Sequence, residues 1–374
     1  MAGQEGGNLS SKRIVFVGKD PAGAKGIMAI MRKVMGQSME NIASLDLLTD
    51  AGSWLDKSGD CGGIRKTSVV SGSALAGYAC GIDILVSSAC SNMPDGSNLG
   101  RDIAMAMPRG KTVILVTDTW DGAQTKTDTW AKPECRPDYI VVNDVIGMER
   151  TLDACRPWLS AYQFQMLGWP SLDQLAGYDV AHHRKIVREQ LGISYNEKVI
   201  FFAGQLQNTS ATLEILVEAL NIMGVGRKLA LLARNHPRMF TDTRWESEKV
   251  SWNNALVKLT GARLVNAQHI KEMTDVIAAS DIITSLNSNA LVDAAALSCK
   301  EVMAIQPPEL YLEPGNYPLW ELGCCTRPRN QSEANNVLLM ALSTGLGLVK
   351  RQKKVFRLDG QNTTRVADFI CSLL

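Results

Sequence analysis

Net charge and long apolar runs are both scarce in this chain. Lys and Arg number 39 against 38 Asp and Glu, a formal net charge of +1. That balance gives no support for the extended basic surface that nucleic-acid binding needs and leaves only a local patch open. No run approaches the ~18 apolar residues of a membrane-spanning helix. Met1 to Arg13 is rich in Gly, Ser and Asn and has no apolar core, so it does not read as a secretory signal. The nine cysteines include no C-x-x-C pair, and only Cys324 and Cys325 are adjacent. Such a set reads as reduced thiols in a cytoplasmic protein. The acceptor-like Asn8, Asn208, Asn330 and Asn362 then carry no sugar. His182-His183 lacks a third ligand at metal spacing and reads as an exposed helix pair; no metal and no cofactor is expected. The G-x-G-x-x-G, Walker A, G-x-S-x-G, H-E-x-x-H and kinase motifs are absent.

What is present is core-forming material in alternating blocks. Hydrophobic residues make up 45% of the 374 and charged residues 21%. This excludes bulk disorder and suits about two domains of ~150 residues. Arg13–Val17 reads as a strand, followed by a small-residue turn and a helix with Ile27, Ile30, Met31 and Val34 at helical spacing. Ile82–Val86, Thr112–Thr117 and Tyr139–Val142 continue the series, each followed by polar residues. A second series starts after Gly168-Trp169-Pro170, with strands at 199–202, 228–233, 281–284 and 301–305. Near-continuous apolar strands suit parallel sheets covered on both faces. The expected fold is therefore α/β, with two Rossmann-like domains, at 12–172 and 173–350, and a tail and helix at 351–374.

Polar clusters fall at strand ends, where open α/β sheets bind ligands. Gly204 to Ser210 lies between a strand and a helix. Asn208, Thr209 and Ser210 offer a helix start that suits a phosphate, or an ordinary cap. Ser285, Ser288 and Asn289 repeat this arrangement after the third strand, and Asp293 sits one turn into the helix, placed to accept from ribose hydroxyls. Arg234, His236 and Arg238 put cations and an imidazole between the two loops, a set able to hold a pyrophosphate. In the first half, Asp20 follows strand one, and Asp118 and Asp121 flank Trp120. A carboxylate there can act as a base, and the indole can stack on a sugar ring. The cluster Lys350-Arg351-Gln352-Lys353-Lys354 reads as a solvated face, with weak membrane-surface contact through 350–354 as the alternative.

The second half resembles the donor domain of GT-B nucleotide-sugar glycosyltransferases and of the related non-hydrolysing UDP-N-acetylglucosamine 2-epimerases. The similarity lies in Met273–Asp281 followed by Ser285–Leu297, a helix, strand, Ser-rich loop and helix. Asp293 matches their ribose-contacting acid, usually Glu, and Ser288 and Asn289 match the loop that holds the donor phosphates. The first half is similar to acceptor domains of bacterial surface-polysaccharide transferases. The matching pieces are Asp20-Pro21-Ala22-Gly23, Asp118-Thr119-Trp120, Pro137–Asp144, and Gly168-Trp169-Pro170 with Asp173. His236-Pro237 resembles the His-Pro of glycerophosphotransferase-like members. The resemblance implies two Rossmann-like domains facing across a cleft, and metal-independent transfer of a sugar from a nucleotide-sugar donor to an acceptor, with Asp118 as base ahead of Asp20 or Asp121. The epimerases' Arg-Glu-x-Thr-Glu-Arg-Pro-Glu signature is absent, and the Glu-x7-Glu of many retaining transferases is missing at the acidic position, where Ser285 and Asp293 stand at that spacing. A nucleotide-sugar epimerase and a non-catalytic binding protein remain the alternatives.

Overall fold

A computed structural model describes residues 11–19, 21–49, 66–68, 73–89, 97–117, 120, 130, 137–155, 159–240, 242–298, 300–310, 317–356 and 358–374. The chain divides into two compact units, Met1–Ala176 with Asp359–Leu374, and Gly177–Leu358. The division falls at 176/177 and 358/359. The segment read from sequence as one tail is thus shared: helix Val349–Val355 lies in the second unit and helix Asn362–Cys371 in the first.

The first unit holds a seven-stranded parallel sheet. In chain order the strands are β1 (Lys12–Val17), β2 (Ile42–Thr49), β3 (Lys66–Ser68), β4 (Ile84–Ser88), β5 (Thr112–Val116), β6 (Tyr139–Val142) and β7 (Phe164–Met166). Their spatial order is β3-β2-β1-β4-β5-β6-β7. Alternate residues of each strand serve opposite faces. Ile14, Phe16, Ile84, Val86 and Ile114 pack under helix Pro21–Ser38 and the C-terminal helix. Val15, Val17, Leu85, Val113 and Leu115 pack on the other side with Ala79, Ile103 and Trp130. The second unit holds β8 (Lys198–Ala203), β9 (Leu229–Arg234), β10 (Arg263–Val265), β11 (Ile282–Ser285) and β12 (Glu301–Ala304), parallel, in the order β10-β9-β8-β11-β12. Ile200, Phe202, Leu231 and Ile282 bury one face against Leu213, Leu216, Leu220 and Trp252.

One device recurs in both sheets. An Asp just before a strand exchanges two hydrogen bonds with a residue of the neighbouring strand. Asp83 accepts from the Arg13 N–H at 2.8 Å and donates its own N–H to the Arg13 carbonyl. Asp138 does this with Val113, and Asp281 with Val199, again with carboxylate contacts of 2.8 Å. This is why the strand expected at 82–86 begins at Ile84. Asp281 also binds Arg184 Nη2 at 2.6 Å and Arg188 Nη2 at 2.8 Å, both from helix Val180–Gln190. Burial alone would raise its pKa. The Val199 N–H and the two guanidiniums outweigh burial and hold the carboxyl below its ordinary value.

Gly168 to Asp173 forms a clasp for the C-terminal helix. Asp173 Oδ1 accepts from the Asn362 N–H at 3.1 Å and from its Nδ2 at 2.7 Å, and Oδ2 from the Thr363 N–H at 2.6 Å. The carboxylate therefore serves the helix start from 189 residues away. Gly168 has φ +91, and a Cβ there would collide with the Asn362 side chain.

Because the folded pKa of Asp281 lies below its unfolded value, its stabilisation is present above pH ~4 and is lost as pH falls through the folded value. Asp281→Asn should cost about 3 kcal/mol at neutral pH. In urea titrations repeated down to acid pH, the gap from the parent should narrow as the parent's carboxyl protonates.

Candidate functional site

In the second sheet the strand order reverses between β8 and β11, the switch point at which such sheets open a crevice at their carboxyl ends. The loops after β9, β8 and β11 leave this same edge from adjacent strands. The structure thus brings Gly204, Asn208, Thr209, Arg234, His236, Ser288 and Asn289 to one region.

The loop after β8 begins with a close approach. The Gly204 N–H donates to the Arg234 carbonyl at 2.8 Å, extending the ladder by one bond. A Cβ at Gly204 would lie 2.9 Å from the Trp252 ring and 3.0 Å from the Arg234 carbonyl oxygen. Trp252 is buried, so the indole has no room to retreat. Asn208 sits at the N-cap of helix Thr209–Met223 with φ 55, and its Nδ2 donates to the Leu310 carbonyl at 2.8 Å. Thr209 is buried, and its Oγ1 accepts from the Gln205 N–H at 3.1 Å. Ser210 is differently employed. Both its N–H, at 2.7 Å, and its hydroxyl, at 2.9 Å, donate to Glu248 Oε1. A carboxylate of the chain itself therefore occupies that part of the helix start, on the side facing helix Glu246–Val257.

The loop after β11 is tied to the loop after β8. Ser285 is fully buried, and its hydroxyl donates to the Ala203 carbonyl at 2.6 Å and accepts from the Ser288 N–H at 3.3 Å. Its place is internal, holding the two strand ends together. Gln205 Oε1 accepts from the Asn287 N–H at 3.2 Å and so joins the two loops directly. Ser288 caps helix Asn289–Ala296, its hydroxyl accepting from the Ala290 N–H at 3.3 Å. Asn289 is exposed, and Asp293 is half-buried one turn along.

Arg234 closes β9. Its Nη2 donates to the Lys271 carbonyl at 3.3 Å, while its Nη1 is buried and has no hydrogen-bond partner among the described residues. Burial lowers its pKa, and the nearby Glu272 works in the opposite direction. The next residue, Asn235, is buried and its Oδ1 likewise has no partner among the described residues. His236 is partly buried, and Arg238 lies in the 3-10 turn Pro237–Phe240.

Asp20, Asp118 and Asp121 lie outside the described residues. Their neighbours in the first unit are placed. Trp120 is buried, donates from Nε1 to Asp144 at 2.6 Å, and meets Trp169 edge-on at 4.8 Å. It is packing, not the open stacking face that its flanking carboxylates suggested. Asn143, at the end of β6, is buried with Nδ2 unpartnered among the described residues. It lines a cavity of about 10 Å³ with Thr117, Gly23 and Gly26, room for about one water.

Sequence reasoning gave no role to Gln205, Trp252 or Glu248. Gln205 stood in plain view within the loop. Trp252 and Glu248 lie about 40 residues further on, in a helix without amphipathic periodicity, and only the folded pairing brings them to the loop. The expected His182-His183 pair is also more than surface. His183 stacks on Tyr178 at 4.3 Å and contacts Asp275 at 2.9 Å.

No protein-family model matches the chain, and no curated protein sequence matches it. Solved structures do. The wall teichoic acid polymerase TagF matches at 14% identity, covering 98% of this chain and 90% of that one, with a TM-score of 0.57. The UDP-GlcNAc 2-epimerase of Neisseria meningitidis, solved with UDP-GlcNAc bound, matches at 10% identity over 96% of this chain and all of its own, TM-score 0.66. Acinetobacter baumannii MurG matches at 9% identity, covering 96% and 99%, TM-score 0.57. The chain has the GT-B type of fold that these proteins share.

Gly204→Ala forces a methyl group onto Trp252 and the Arg234 carbonyl. It should destabilise the protein by ~1–3 kcal/mol, read as a lowered melting temperature. Ala at Gly36, within helix Pro21–Ser38 and with open space around it, should cost nothing.

Proposed function

We propose that the chain is a GT-B glycosyltransferase that binds a nucleotide-sugar diphosphate on its second unit. The buried Nη1 of Arg234, without a hydrogen-bond partner among the described residues and at the carboxyl edge of the sheet beside the switch point, carries this reading. A buried guanidinium nitrogen without a partner is costly. A diphosphate oxygen would satisfy it with a charge-assisted bond. The positive end of helix Asn289–Ala296 would add favourable potential, and Asp293 would accept from the ribose hydroxyls. His236 and Arg238 are assigned to the same diphosphate, and Asn208 and Thr209 to the loop that frames it. Ser210 and Ser285 shape the site through Glu248 and Ala203.

In the transfer step, the acceptor hydroxyl loses its proton to Asp118 in the first unit. Its oxygen bonds to the anomeric carbon as the bond from that carbon to the diphosphate breaks, and the nucleoside diphosphate leaves. Arg234 and the helix start offset the charge that develops on the leaving group, the task a metal performs in other transferases. No metal or cofactor is assigned to this chemistry.

A nucleotide-sugar epimerase is the second reading, supported by the closer likeness in fold to the Neisseria enzyme. Product NMR separates the two, because an epimerase consumes no acceptor.

Titration with UDP, GDP, CDP and dTDP should give a rise in melting temperature with one of them. Arg234→Gln should weaken that nucleotide on the order of 10- to 100-fold. Binding by none of the four, or undiminished binding by the variant, would remove the donor-site assignment. Asp118→Asn should retain nucleotide binding and lose transfer. Full turnover in that variant would show that the base lies elsewhere, and binding without turnover by the parent would favour a non-catalytic protein.

A further inference from the structure

Helix Val349–Val355 presents four cations on one face, and the structure fixes that face outward. Gln352 is fully buried, and its Nε2 donates to the Lys300 carbonyl at 3.2 Å and to the Cys324 carbonyl at 3.0 Å. At ~100° per residue, Lys350 and Lys354 lie nearly opposite Gln352, and Arg351 and Lys353 flank that arc about 100° to either side of Gln352; all four are exposed. From Gly345 to Arg357 the sequence contains no Asp or Glu. The patch is therefore net positive on a chain whose overall charge is only +1.

An aromatic residue borders this face. Arg351 Nε donates to the Leu322 carbonyl at 2.7 Å, and a Cβ at Gly323 would lie 3.4 Å from the Arg351 side chain. Leu322 and Gly323 end the turn Pro318–Glu321, which carries Trp320. Trp320 is 43% exposed, unusual for an indole, and the Arg327 guanidinium lies 5.6 Å from its ring centroid. Glu321 is the one acid on that turn.

We propose that this face, Lys350, Arg351, Lys353 and Lys354 with Trp320 at its border, docks the second unit onto an anionic lipid surface. Each cation near such a surface contributes independently, and clusters of four or more on a helix are enough for recognition. The indole suits the interfacial layer, apolar in body with one polar N–H. A nucleic-acid duplex fits less well. It carries charge along a line, whereas these cations lie on two helical turns and nothing in the overall charge balance continues them. The inference is independent of the nucleotide-sugar assignment.

The test is co-sedimentation of the full chain with vesicles of phosphatidylglycerol and phosphatidylcholine in equal parts, and with phosphatidylcholine alone. The parent should bind the mixed vesicles only, with binding falling as salt rises. At about fivefold per cation, Lys350→Gln/Lys353→Gln/Lys354→Gln should lose on the order of 100-fold, with an unchanged melting temperature. Trp320→Ala should reduce binding while leaving the salt dependence in place. Absence of binding, equal binding to neutral vesicles, or undiminished binding by the triple variant would overturn the proposal. So would capture by duplex DNA that mixed vesicles fail to compete away.

Discussion

The pairing of β8 with β11 is the constraint on which the second unit's candidate site depends. These strands are distant in sequence, and their register decides which loop residues face each other at the carboxyl edge. The register is pinned at both ends. At the amino edge, Asp281 exchanges two hydrogen bonds with Val199 and draws Arg184 and Arg188 onto the same carboxylate. At the carboxyl edge, the Ser285 hydroxyl bonds to the Ala203 carbonyl, and Gln205 receives the Asn287 N–H. A one-residue slip would turn every side chain to the opposite face. It would break all of these contacts together.

Within this frame the chain satisfies most of its own polar groups. Glu248 takes the Ser210 donors, and Ser288 takes the Ala290 N–H. Of the buried side-chain atoms with no partner among the described residues, Arg234 Nη1 and Asn235 Oδ1 are adjacent in sequence and lie together at the end of β9. For the proposed ligand, this donor and acceptor at the end of β9 argue for that edge over the start of helix Thr209–Met223. That helix start offers the more conspicuous sequence signal, but Glu248 has already claimed part of it. Capping chemistry and anion-binding chemistry use the same atoms, so sequence alone cannot tell which claimant wins.

The legible part of the fold was its apolar strands. β1, β5, β6, β8 and β9 are continuous hydrophobic runs, buried on both faces, and periodicity finds such runs directly. The strands that escaped notice lack that signature. β2 carries Asp46 in its middle, tolerated because Arg13 Nη2 at 3.1 Å and the Tyr78 hydroxyl at 2.7 Å neutralise and bind it. β3, β7 and β10 are three residues each and exist only through their neighbours. For the candidate site, strand-end position picked out loops that the fold brings to one sheet edge, and residue type gave the helix cap at Ser288. It failed for Ser285 and Trp120, which look available in sequence and are consumed by packing. Exposure is a property of the fold, and local spacing does not carry it.

The Gly168-Trp169-Pro170 and Asp173 segment shows what a short shared motif can mean. It was read as family resemblance near a domain boundary, and each residue has a mechanical task within the first unit. Gly168 makes room for Asn362, Trp169 packs on Trp120, the Pro170 carbonyl receives the Thr363 hydroxyl, and Asp173 binds the start of the last helix. That helix then buries Val366, Ala367 and Ile370 against the core under helix Pro21–Ser38. The chain's last residues thus complete the hydrophobic face begun by its first strand. A motif of this kind closes the fold, whatever reaction the fold supports. It follows that a resemblance resting on such residues argues for architecture, and that the proposed chemistry rests on buried groups with no partner among the described residues, Arg234 first among them.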